Sequence, residues 1–90
     1  KNDINSLYLR FEVNDKPGVL SAITNSLAKY NISVKRIVQT PDKKNKKATI
    51  VIITHSCEES SSNKCLSFLK KNKNIIKKPI YIRVFNFNGN

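Results

Sequence analysis

Apolar and polar residues alternate near the beginning of the chain, between Leu7 and Val13. The apolar side chains of this segment are Leu7, Leu9, Phe11 and Val13, and the polar ones are Tyr8, Arg10 and Glu12. Because successive side chains of a strand point to opposite faces, this pattern predicts a strand with one buried face.

The hydrophobic spacing lengthens to three and four residues after the segment Asn-Asp-Lys-Pro-Gly. The apolar positions that follow are Val19, Leu20, Ile23, Leu27 and Tyr30. They predict a helix with one apolar face. We expect Asp15 to cap its N-terminus, Pro17 to lie in its first turn and Asn31 to end it in a left-handed conformation. Gly18 either completes this turn or lets another group approach the backbone closely.

The second half of the chain predicts two more strands and a second helix. Residues 32 to 41 alternate, and the loop DKKNKK joins them to ATIVIIT at positions 48 to 54. ATIVIIT is apolar on both faces, which is typical of a central strand. Ser56 and Glu59 then form the pattern of a capping box at the start of the second helix.

A last strand at residues 80 to 85 completes the order β-α-β-β-α-β. Two right-handed βαβ crossovers of this kind predict an α+β, ferredoxin-like sandwich, a four-stranded antiparallel sheet with two helices on one face. The domain would span residues 7–85, between a linker at 1–6 and a polar tail at 86–90. From the linker-like start we expect the chain to be a piece of a longer protein.

The second face of the predicted sheet combines polar and apolar side chains. Its predicted members are Tyr8, Arg10, Glu12, Tyr81 and Arg83, together with one side of ATIVIIT. A partly apolar face is seldom left in water. We therefore expect another surface to cover part of it.

The formal net charge is +11, which taken alone would indicate a nucleic-acid or anionic partner. The lysines, however, concentrate in loops and at element ends, and arginine, which base-reading sites favour, occurs only three times. ATIVIIT also lacks the aromatic residues on which RNA-recognition sheets stack bases. These features argue against nucleic-acid binding. No apolar run approaches the roughly 20 residues of a membrane span, so no membrane partner is expected.

Side chains that could carry catalysis are sparse. His55, Cys57 and Cys65 could be drawn as a zinc site, but no Cys-x-x-Cys is present and a fourth ligand is missing. Two cysteines are too few for a disulfide framework, which favours a reducing, cytoplasmic compartment. The first loop lacks the arginine of an acylphosphatase-like site, and the chain contains no Ser-His-Asp set or phosphate-binding glycine loop. We predict no metal site and no catalytic residue here.

The chain resembles the ACT domain, the amino-acid-sensing regulatory module of biosynthetic enzymes. The matching motifs are Asp15-Lys16-Pro17-Gly18-Val19-Leu20 after the first strand and Asn31-Ile32-Ser33-Val34 at the second. The resemblance covers residues 7 to 85. More narrowly, ATIVIITHSCEES and KKPIYIRV resemble the carboxy-terminal ACT domain of the homoserine dehydrogenase family. The serine- and lysine-rich second helix departs from the alanine-rich helix usual in that family, a difference that affects the surface.

The resemblance implies an amino-acid effector site between two domains. The family's site corresponds here to Asn14, Asp15, Lys16, Gly18, Val19 and Leu20, with Ser33 and Gln39 from a neighbouring element. N–H groups of the first helical turn would bind the effector carboxylate, Asp15 its ammonium, and Ser33 or Gln39 a hydroxyl. The alternative for this loop is a helix start without a ligand.

The resemblance also implies a parent enzyme. That enzyme would be an oxidoreductase that interconverts homoserine and aspartate semialdehyde with NAD(P), in the biosynthesis of threonine and methionine. Its cofactor and substrate sites would lie in an upstream catalytic domain, and threonine is the expected effector of a homodimer formed through ACT–ACT pairing. The alternatives are an ACT domain of another amino-acid biosynthetic enzyme and a basic, nucleic-acid-binding ferredoxin-like module.

Overall fold

The computed structural model describes residues 4 to 84, which form five strands and two helices. The strands are β1 (Ile4–Asn14), β2 (Val34–Asp42), β3 (Lys47–Thr54), β4 (Cys57–Glu58) and β5 (Ile80–Val84), and the helices are α1 (Val19–Lys29) and α2 (Glu59–Leu69). An antiparallel sheet has the order β2-β3-β1-β5, and the short β4 pairs with the beginning of β1. The predicted ferredoxin-like fold is confirmed. Neither helix in this range is long and apolar enough to cross a membrane.

One hydrophobic core lies between the sheet and the two helices. From the sheet it includes Leu7, Leu9, Phe11, Val13, Ala48, Ile50 and Ile52, and from the helices Val19, Ile23, Leu27, Cys65, Leu66 and Leu69. The predicted alternation of β1 and the helical spacing of α1 are confirmed, because both place their apolar side chains in this core. Asn31, with a φ of 63°, has the predicted left-handed conformation after α1.

The predicted linker at residues 1–6 is too long at its C-terminal end. β1 begins at Ile4, where the backbone pairs with Glu58, and Asn5 pairs with Cys57. Pairing with β4 therefore extends the first strand beyond its apolar alternation, which the side-chain pattern could not show. The predicted tail at 86–90 lies outside the described residues.

Both helices begin later than predicted. Pro17 and Gly18 form a turn ahead of α1, so Pro17 is not in the first helical turn and Asp15 does not cap the helix. Ser56 does not cap α2 either, because the chain stays extended through Cys57 and Glu58, and α2 starts at Glu59. Cys57 is buried, and it pairs with Asn5 of β1 as Glu58 pairs with Ile4. This pairing keeps the chain extended, so the second helix begins only after it.

β5 faces the opposite way from the prediction. Tyr81 pairs with Leu9 and Arg83 with Leu7, so both lie on the helix side of the sheet, where Arg83 forms a 3.0 Å ion pair with Glu59 of α2. The open face instead receives the apolar residues of β5. These are Ile80, Ile82 and Val84, with 53%, 55% and 37% of their surface exposed.

β2 is an exposed edge strand. Only Val34 at its start is half-buried, and the remaining positions of the strand are exposed. A bulge between Val34 and Arg36 shifts the register with β3, so that Ile37 pairs with the buried Ile52 and Val38 with Val51. Ile37 therefore lies on the helix side of the sheet and Val38 on the open face.

Candidate ligand site

Two other segments of the chain hold the last residue of β1, Asn14, and the loop of residues 15 to 18 that leads to α1. The N–H of Asn14 donates a 2.8 Å hydrogen bond to the carbonyl of Asn74, and the N–H of Asp15 donates one of 2.9 Å to the carbonyl of Lys46. The loop thus lies between the connector after α2 and the turn of the β2–β3 hairpin. These bonds fix the start of α1 relative to both.

The side chain of Asn14 already has partners within the chain. Its Nδ2 donates to Oδ1 of Asn74 at 3.3 Å, and its Oδ1 accepts from Nζ of Lys47 at 3.3 Å. Asn14 is therefore placed to position the loop. Sequence reasoning missed Asn74, because 60 residues separate it from Asn14 and no local pattern marks it.

Gly18 has a local structural reason to be glycine. Its φ of 88° lies in the left-handed region, which other residues enter at a cost. A Cβ placed on Gly18 would meet nothing within 4 Å. The chain itself therefore leaves the space in front of this backbone open.

The N-terminus of α1 carries no capping side chain within the described residues, and its first turn contains no acidic residue. The N–H of Val19 donates to the carbonyl of Lys16 at 3.3 Å, and the hydroxyl of Ser21 donates to the carbonyl of Gly18 at 3.1 Å. First-turn N–H groups and the helix dipole attract an anion. Asp15 and Lys16 are exposed beside this end and offer one charge of each sign.

Val19 and Leu20 could contribute to a ligand site mainly through their backbone. Val19 is buried in the core, and the half-buried Leu20 packs against that core. Their side chains anchor the first turn of α1. The N–H of Val19 already donates to the carbonyl of Lys16, which leaves the amide of Leu20 as the one of the two that faces the open helix end without this partner.

The structure separates Ser33 from the loop within one chain. Asn14 pairs with Lys47 at one end of β3, whereas Val34, next to Ser33, pairs with Thr54 at the other end. These ends lie about 23 Å apart at a strand rise of roughly 3.3 Å per residue.

Gln39 is nearer to the loop than Ser33. It pairs with Ile50, three residues from Lys47, and is exposed on the helix side of β2. The described chain thus brings the residues 14–20 together and leaves Ser33 at the other end of α1. Ser33 could join them only from a second copy.

Cys65 and Glu12 are two further titratable residues with shifted pKa values. Burial raises the pKa of the Cys65 thiol to about 11, which keeps it protonated near neutral pH. The hydroxyl of Thr49, at 2.6 Å from Glu12, together with Arg10 lowers the pKa of the Glu12 carboxyl. No group of three potential metal ligands occurs in residues 4–84.

Comparison with known proteins gives one consistent result. The family model of the ACT domain matches residues 7–65. The homoserine dehydrogenase of Neisseria gonorrhoeae is 33% identical over 75 residues, which cover 83% of this chain and 17% of that protein. The crystal structure of a homoserine dehydrogenase from Thiobacillus denitrificans superimposes with a TM-score of 0.82 and 27% identity, over 93% of this chain and 18% of that one.

A third match concerns the fold alone. The ACT domain of the GTP pyrophosphokinase of Chlorobium tepidum superimposes with a TM-score of 0.67 at 17% identity, covering 91% of this chain and 100% of that one. The chain spans less than a fifth of the length of the two dehydrogenases. The matched residues 7–65 contain the loop, α1, the hairpin and most of α2, and the chain belongs to the ACT domain family.

Proposed function

We propose that this ACT domain is the regulatory domain of a homoserine dehydrogenase and binds L-threonine as a feedback effector. The support for this parent is the 33% identity with the Neisseria enzyme and the TM-score of 0.82 with the Thiobacillus enzyme. The parent would interconvert homoserine and aspartate semialdehyde with NAD(P) in the cytoplasm. Its cofactor and substrate would bind outside these residues.

The observation that carries effector binding is the open N-terminus of α1. Gly18 is left-handed and faces free space, and no described side chain caps the helix. A ligand carboxylate placed there would accept hydrogen bonds from first-turn N–H groups, each charge-assisted bond contributing roughly 1.5–3 kcal/mol. Asp15, exposed beside it, would attract the ligand's ammonium group.

The remaining contacts would come from a second copy of the domain. Ser33 lies at the far end of α1 from Gly18, so its hydroxyl can meet the same ligand only across an interface. The exposed β2 edge offers unpaired backbone groups for such an interface. The proposal is therefore a homodimer in which Ser33 or Gln39 of one copy contacts the hydroxyl of threonine bound to the other.

Calorimetric titration of L-threonine into the wild-type chain and the variant Gly18→Asp tests the proposal. We expect Gly18→Asp to abolish binding, because its carboxylate would occupy the open space and repel the ligand's own. Gly18→Asn is the matched control, since asparagine has nearly the same size, tolerates a positive φ and carries no charge. It should bind threonine more weakly than the wild type and more tightly than Gly18→Asp.

Serine, isoleucine and lysine serve as competing ligands, and circular dichroism verifies that both variants fold. Equal binding of threonine by wild type and Gly18→Asp would remove this loop from the site. If no amino acid gave heat with the wild type, Pro17 and Gly18 would be a helix start and no more.

The parent enzyme is tested separately by reading the gene upstream of Lys1. A Gly-x-Gly-x-x-Gly motif between a predicted strand and helix would support a nicotinamide-dependent dehydrogenase. An upstream region without such a nucleotide-binding unit would assign the domain to another enzyme and leave the effector site to be judged on the titration.

A further inference from the structure

Helix α2 carries a surface that the effector site does not use. Asn63 and Ser67, one turn apart, form a ridge with a depression on each side. The first depression, of about 390 Å³, is lined by Lys64, Phe68 and Lys71 among others. The second, of about 190 Å³, is lined by Lys70, Lys78 and Tyr81 among others. We call this ridge with its two depressions the α2 surface.

The α2 surface is strongly positive. No acidic residue of the described chain lines either depression. Glu59, an acidic residue of α2 itself, is engaged in an ion pair with Arg83 at 3.0 Å. Concentrated charge of one sign raises the free energy of the isolated surface and attracts a partner of opposite charge.

Each depression also exposes an aromatic ring. Phe68 and Tyr81 both have 44% of their surface exposed, and Phe68 is not among the buried residues of α2. Nζ of Lys29 lies 4.9 Å from the centre of the Phe68 ring, and the ring of Tyr30 lies 6.2 Å from it. An exposed aromatic surface bordered by charge is characteristic of a protein-binding site.

We propose that the α2 surface binds an acidic protein segment that carries apolar anchor residues. Carboxylates would meet the four lysines, and an apolar side chain would enter the depression beside Phe68. A protein is favoured over nucleic acid for two reasons. The four cations that line the two depressions are lysines, whereas base recognition favours arginine, and Lys29 already covers one face of the Phe68 ring, where a base would stack. This proposal is independent of threonine binding.

Fluorescence anisotropy with a labelled peptide of alternating Glu and Phe tests the proposal at about 0.15 M salt. The double variant Lys64→Glu/Lys78→Glu places one reversal in each depression. Lys43→Glu/Lys44→Glu, in the turn of the β2–β3 hairpin, has the same net charge and is the matched control. We expect the first variant to weaken binding about tenfold or more and the control less than about threefold, because charge pairs act at short range in salt.

Two further probes separate the possible occupants. Phe68→Ser should weaken the binding of the Glu-Phe peptide severalfold and leave the binding of a Glu-Ser peptide unchanged, since only the Glu-Phe peptide has an apolar anchor. Equal losses of peptide affinity in the two double variants would mean that binding depends only on the net charge of the chain. That result would overturn the proposed site. Tighter binding of an oligothymidylate of equal charge, lost in Lys64→Glu/Lys78→Glu, would overturn the protein partner in favour of nucleic acid.

Discussion

The side chain of Thr54 links β3 to β1 at the point where the regular pairing of the two strands ends. It is completely buried at the end of β3, and its Oγ1 accepts a 3.0 Å hydrogen bond from the N–H of Leu7. The regular β1–β3 register begins one residue later, with Tyr8 opposite Ile53. The hydroxyl therefore satisfies a buried amide at the end of the backbone ladder.

Replacement of Thr54 by valine should destabilise the chain by roughly 1–3 kcal/mol, because it leaves the N–H of Leu7 buried without a partner while conserving shape. Urea denaturation measures the change in the free energy of unfolding. Thr40→Val, the same substitution at an exposed position of β2, should stay within about 0.5 kcal/mol. Similar values for the two variants would contradict the role of the Thr54 hydroxyl.

At the scale of elements, α1 is held by a narrow apolar stripe. Val19, Ile23 and Leu27 are buried on successive turns of this helix, and Leu20 is only half-buried. The connector after α2 and the hairpin turn hold the loop before the helix. Core packing on one side and loop hydrogen bonds on the other thus position the open N-terminus proposed to receive the effector.

Leu27→Ala should lower the free energy of unfolding by roughly 2–5 kcal/mol, since Leu27 is 1% exposed and its removal leaves a cavity. Leu20→Ala on the same helix should cost distinctly less, because part of the Leu20 side chain already contacts water. Denaturant titration of both variants provides the test. A near-neutral Leu27→Ala would disprove the assigned buried face of α1.

At the scale of the whole molecule, the lysines of the α2 surface and the exposed aliphatic residues of β5 lie on different faces. The lysines of the α2 surface lie on the helix side, whereas the open face of the sheet carries Ile80, Ile82 and Val84. On that face Arg10 is neutralised by Glu12 at 2.9 Å. The β2 edge separates the two faces and is the strand through which we propose that two copies pair.

Sedimentation velocity in the presence of threonine should show a homodimer. Ile37→Lys, on the β2 edge, should shift the population toward monomer, because a charge would be placed at the interface. Ile82→Lys, a matched change on the open face, should leave the dimer intact. Dissociation by Ile82→Lys alone would place the contact on the open face, and a wild type that stays monomeric at high concentration would contradict pairing altogether.

The sequence by itself determined the α+β architecture, the buried stripes of β1 and α1, and the turn at Gly18. These features depend on local periodicity and on the conformational freedom of glycine, which a short segment already expresses. The ACT resemblance of residues 15–20 and 31–34 likewise needs no structure, because each of these two motifs is a continuous stretch of chain.

Only the tertiary structure decided which way β5 faces, where α2 begins and what holds the loop between β1 and α1. The orientation of β5 depends on its register with β1, and a shift of one residue exchanges the two faces of a strand. Asn74 and Asn14, like Cys57 and Asn5, lie far apart in sequence and meet only when the sheet forms. The separation of Ser33 from Gly18 has the same cause, since the length of β3 determines it.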